Sequence, residues 1–268
     1  MTIIERNFYR LLRAGAFGTE EQIEPLSAWK WNRLFQMSEM HDVTAVVYKG
    51  IERCGNQFFV QVPEQLLKQW EQATSHATDE ENDLLTADHL TNPILNHKLQ
   101  NILDDEDSNT ETRTALLHLL GTSRFIMNAG VPVKRIMELG LFLRQSANRI
   151  DFTTLQEWIE RLQMGRMAGL TAVMMVKLLH FSPEELPFMQ PSDDKQMERQ
   201  MHDLLHQKNS HGEEWYFSQG KDIFIHTSNS TAMLWHVRRS AKYFKYYPSE
   251  TITNFFSSFA HSLSHIEE

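Results

Sequence analysis

One cysteine, Cys54, in 268 residues excludes a disulfide framework and any cysteine-built zinc site, and reads as a small buried hydrophobe. Long apolar runs are also missing. The longest stretch, Ala168 to Leu179, is about 12 residues and carries Lys177, short of the ~20 that span a bilayer. Positive charge is scarce, 26 Lys and Arg against 35 Asp and Glu. The net charge of −9 therefore disfavours nucleic acid and anionic membranes as partners. Glu5, Arg6, Arg10 and Arg13 interrupt the N-terminal stretch, which is not read as a signal peptide, so the cytoplasm is the expected location. No glycine-rich dinucleotide loop, phosphate loop or serine elbow occurs, and no cofactor is expected.

What the chain does contain is helical periodicity, and an all-α, irregular multi-helix bundle is the expected fold. Ile4, Phe8, Leu11 and Leu12 place one apolar stripe on a first helix that should stop near Gly15. Ser27 caps a second, Ala28 to Met40, with Trp31, Leu34, Phe35 and Ser38 on one face, and a third runs from Val43 to about Arg53. Pro63 opens a fourth, whereas Pro93 should end or kink a polar stretch from Glu80 to Leu103. Asp104 to Thr112 lacks any apolar residue, which divides the chain into an N-terminal helical part (1–103), an acidic connection (104–112) and a C-terminal helical part (113–268). The two parts are expected to pack together. Within the second, one amphipathic helix carries Leu116 to Met127 and ends at Gly130, the next starts at Pro132 and carries Val133 to Leu141, and a third, capped at Asp151 or Thr153, carries Leu155 to Leu162. Ala168 to Leu179, apolar nearly all round, should be the central buried one. Further helices are expected over Asp193 to Gln207, Thr231 to Tyr243 and Pro248 to His265, with one short strand at Asp222 to His226.

Three clusters could carry chemistry. His202 and His206 stand at i, i+4 with His211 nearby, a metal-ligand spacing, but chance pairs are expected among 13 histidines and no metal site is assigned. Asp105 and Asp107 have the spacing of a Mg²⁺-binding pair, yet their polar neighbours indicate a solvated turn. The third cluster is basic and aromatic. Arg238, Arg239, Lys242 and Lys245 interleave with Tyr246 and Tyr247 and lead to Ser249 at the start of a helix, a mixture that could bind an anion or a partner. The competing reading buries the tyrosine rings and leaves the basic residues as a solvated face.

Phe8 to Gly15, Trp31 to Phe35 and Val43 to Ile51 resemble the opening helices of a bacterial family of uncharacterised nucleotidyltransferases. Gly130 to Leu143 is similar to a later helix of that family, with Glu138 where members tend to have Asp, and Arg239 to Glu250 is similar to its tail. In the family a strand entry and paired carboxylates for metal and nucleotide stand between these flanks; here only the acidic connection does. The resemblance thus implies a family member with its catalytic core deleted, a non-catalytic accessory whose partner is a protein. The alternative is a nucleotidyltransferase-like enzyme that binds nucleotide and Mg²⁺ through unrecognised residues. A nucleic-acid binder working through the Arg238 to Tyr247 cluster is a third reading, disfavoured by charge.

Overall fold

The computed structural model of the chain describes residues 1–76, 89–128, 133–189, 244–253 and 256. These form an all-α, multi-helix fold, with no strand among the described residues. In chain order the helices are α1 (Ile3–Phe17), α2 (Ala28–Met40), α3 (Thr44–Cys54), α4 (Glu64–His76), α5 (Pro93–Leu103), α6 (Thr110–Asn128), α7 (Val133–Ser146), α8 (Phe152–Arg161) and α9 (Gly165–Leu179). The expected strand at 222–226 and the helices over 193–207 and 231–243 lie outside the described residues.

Local signals explain most of these boundaries. Thr2 and Glu5 form a reciprocal capping box on α1, which ends at Gly18 in the left-handed conformation with φ 71°. The helix runs two residues past Gly15, near which a stop is expected, and the missing side chain of Gly15 serves packing. Pro93 also corrects its expectation. It is the first residue of α5, behind Asn92, whose side chain accepts from the Ile94 and Leu95 amides. Asp151 caps α8 in the same way, through Thr153 and Thr154.

The chain divides into two compact units that are not contiguous in sequence. The first comprises Met1–Leu84, Pro132–Gln145 and Met175–Phe181. Its base is the packing of α1 on α3, the most extensive helix pair among the described residues. Phe8, Leu11, Leu12, Trp31, Leu34, Val47 and Trp70 are fully buried in this unit, and the Trp70 ring meets Trp31 and Phe35 edge-on at 6.4 and 5.0 Å. Arg13, nearly buried, is held by Glu21 at 2.7 Å and donates to the Leu178 carbonyl at 2.9 Å, so its charge is compensated on every side shown.

The second unit comprises Leu85–Val131, Ser146–Met174 and Ser182–Glu268. Here α6 packs on α8, with Leu116, Leu119, Leu120, Leu155 and Leu162 completely buried. The acidic residues 104–109 are the turn that joins α5 to α6 inside this unit. Helix α9 contributes to both units, and residues 167–175 are buried without interruption, as its all-round apolar sequence requires. No helix among the described residues is long and apolar enough to cross a membrane.

Candidate functional site

Of the basic and aromatic cluster, Arg238, Arg239 and Lys242 lie outside the described residues. The remainder forms a segment docked on the second unit. Lys245 is exposed, its ammonium 6.0 Å from the centre of the Tyr246 ring, and its carbonyl accepts from Arg166 at 3.2 Å. Tyr246 and Tyr247 are buried. The Tyr247 hydroxyl donates to the Leu162 carbonyl at 3.0 Å, and burial followed by the charge of Glu250 raises its pKa. Ser249 donates to the Gln163 side chain at 2.9 Å. Residues 248–253 are helical, and Glu250 within them is 1% exposed. Its carboxylate accepts from the Thr91 amide at 2.7 Å, the Thr91 hydroxyl at 2.9 Å and the Asn92 amide at 3.0 Å. Two amides at the entrance to α5 thereby receive an internal anion, the partner that a helix N-terminus favours.

The other sequence candidates are simpler. His202, His206 and His211 lie outside the described residues. Asp105 accepts from the Asp107 amide at 3.2 Å and both are exposed, so this carboxylate stabilises its own turn. Cys54 is buried, with its sulfur 3.9 Å from the Glu21 carbonyl oxygen; burial and the Glu21 charge push the thiol pKa up, the opposite of an activated nucleophile. Among the described residues no group of three or more His, Cys, Asp or Glu side chains is placed to hold a metal ion.

A charged cluster in the first unit was visible to sequence reading only as the Glu that replaces an Asp. Glu138 lies on α7, and its Oε2 atom is buried without a hydrogen bond. Burial pushes its pKa up to about 7, against the opposing pull of Lys134 and Arg135 and with the help of Asp42. Lys134, one turn earlier on α7, forms an ion pair with Asp42 in the turn between α2 and α3. Asp42 is left-handed, with φ 53°, a conformation that Asp tolerates better than most residues. Nothing in the sequence links positions 42 and 134, because only tertiary packing brings them together. The arrangement can hold or release a proton near neutrality beside an ammonium group.

A second feature without a sequence signal is a pair of aromatic rings displayed to solvent. Phe58 and Phe59, after α3, are 79% and 53% exposed and meet edge-on at 5.3 Å. Their turn is anchored by Gln57, whose side chain donates to the Glu21 carbonyl at 2.6 Å and accepts from the Ile23 amide at 3.0 Å. Further bonds run from the Gln57 amide to Cys54, from the Val60 amide to Gln57 and from the Gln61 side chain to the Phe58 carbonyl. Trp29, in the first turn of α2 of the same unit, is 66% exposed.

Comparison with protein families, with curated proteins and with solved structures finds no match to this chain.

Proposed function

We propose that this chain is a non-catalytic, protein-binding accessory, similar in its helical flanks to the nucleotidyltransferase family and without that family's metal-binding core. The observation that carries the reading is the Phe58–Phe59 pair, two large rings presented on a turn held by the Gln57 bonds. Covering such a ring with an apolar partner surface contributes roughly 1.5–3 kcal/mol, and a pre-ordered turn reduces the entropy lost on docking. Aromatic residues, Phe among them, are enriched in protein interfaces relative to the rest of the surface. The net charge of −9 favours a protein partner over nucleic acid. The test compares the parent with a Phe58→Ser, Phe59→Ser double variant as bait in native lysate. The proposal expects a specific partner with the parent and its loss with the variant at an unchanged melting temperature. Equal capture by both proteins overturns it.

The alternative, a nucleotidyltransferase-like enzyme, draws on Glu138, since a carboxyl that keeps its proton near neutrality suits proton transfer. A melting temperature raised by several degrees with nucleoside triphosphate and Mg²⁺, and not with either alone, would favour this second reading.

A further inference from the structure

Glu138 does not contribute to the aromatic surface, and its environment opposes its charge. One carboxylate oxygen is shut away from solvent without a donor, although an ammonium group lies one helical turn away on the same chain. That ammonium is engaged elsewhere, on Asp42. Lys134, four residues before Glu138 on the same helix, is thus paired with an acid on the turn between α2 and α3, while Arg135 is the second cation of α7 that acts on Glu138.

The charged and titratable groups acting on Glu138 are Lys134 and Arg135 from α7 and Asp42 from the turn. His41, beside Asp42, is 7% exposed with its ring 5.6 Å from that of Phe8, so the turn is seated in the core on one side and tied to α7 on the other. Asp42 has a left-handed backbone, φ 53°, in a turn whose Asp42 and Val43 amides donate to the Glu39 and Ser38 carbonyls at 2.9 and 3.0 Å.

We propose that Glu138, Lys134 and Asp42 form a proton-sensitive latch between α7 and the turn joining α2 to α3. With Glu138 protonated, Lys134 stays on Asp42 and the turn is locked in its left-handed conformation. Loss of that proton creates a second anion within reach of the same ammonium, which divides between the two carboxylates; the hold on Asp42 weakens and the turn loosens. The structure, with Lys134 on Asp42 and the Glu138 oxygen unpaired, is the locked arrangement. The latch therefore opens as pH rises through neutrality. This inference is independent of the protein-binding reading, because neither Phe58 nor Phe59 takes part.

The experiment follows two signals in the full-length protein between pH 5.5 and 8.5. One is the carboxyl carbon resonance of Glu138, and the other is amide exchange over residues 39–46, corrected for the intrinsic pH dependence of exchange. The latch requires Glu138 to titrate within this range and protection of the turn to fall several-fold across the same midpoint. In Glu138→Gln protection should stay flat and high. In Lys134→Met it should stay flat while Glu138 titrates at a higher pH, having lost one of the two cations that favour its charged form. A parent whose turn protection does not change with pH overturns the proposal, as does a step that persists in Glu138→Gln. Should Glu138→Gln fail to fold, Lys134→Met decides, since a protection step that survives without the ammonium is equally fatal.

Discussion

Gly15 of α1 and Gly50 of α3 let two helix backbones touch: a methyl group on Gly15 would overlap the Val46 carbonyl oxygen, and one on Gly50 the Leu11 carbonyl oxygen. The neighbours are main chain and cannot swing aside. In an exposed helix, Gly→Ala stabilises by about 1 kcal/mol. Here the sign reverses, and Gly15→Ala or Gly50→Ala should each cost ~2–4 kcal/mol through forced separation of α1 and α3. Urea denaturation of the two variants measures this, and a neutral or stabilising result at either position would refute the backbone contact.

The stability of the protein should carry the signature of Glu138. Its pKa is raised from 4.5 unfolded to about 7 folded, so the native state binds more protons in that interval and stability falls as pH rises through it. The loss begins above pH 4.5 and is complete above about 7. Because the group is partly exposed, solvent reduces the penalty to ~1–2 kcal/mol. Glu138→Gln should therefore be the more stable protein at pH 8, with the advantage shrinking toward pH 4.5. Denaturation midpoints at the two pH values give the comparison, and a constant difference would contradict the raised pKa.

Residues 244–253 should depend on the Glu250 carboxylate more than on any hydroxyl. Glu250→Ala leaves the Thr91 and Asn92 amides without their acceptor and should cost ~3 kcal/mol. Tyr247→Phe removes one neutral hydrogen bond to Leu162 and should cost about 1 kcal/mol. Calorimetry of both variants tests the order, which would be reversed if the segment were held mainly by Tyr247.

The acidic turn should be nearly silent. Asp105 and Asp107 are exposed and one accepts only a local amide, so replacing both with Asn should change stability by no more than ~0.5 kcal/mol and leave any response to Mg²⁺ as it was. A Mg²⁺-dependent rise in melting temperature lost in the double variant would assign these carboxylates to a metal and count against the non-catalytic reading.

Much of the helical architecture is written in local sequence. Trp31, Leu34, Phe35 and Ser38 are buried on the face of α2 that a 3.6-residue period assigns to them, and α9 is buried throughout 167–175 because it offers no polar face there. Caps are similarly local: Asp151 bonds amides two and three residues ahead, within reach of its own side chain. Local reading failed where one residue type serves opposite purposes. Gly15 has the look of a helix stop but is a point of contact with α3, and Pro93 looks like a breaker but stands in the first helical turn, where amide hydrogens have no intrahelical acceptor. The Lys134–Asp42 pair, the raised pKa of Glu138 and the seating of Glu250 on α5 were decided by tertiary structure alone. Each depends on residues from separate parts of the chain, and the Glu138 and Glu250 carboxyls also on exclusion of water. Periodicity records which face of a helix is apolar, but the charge that a buried carboxyl meets is set by whichever segment folds against it.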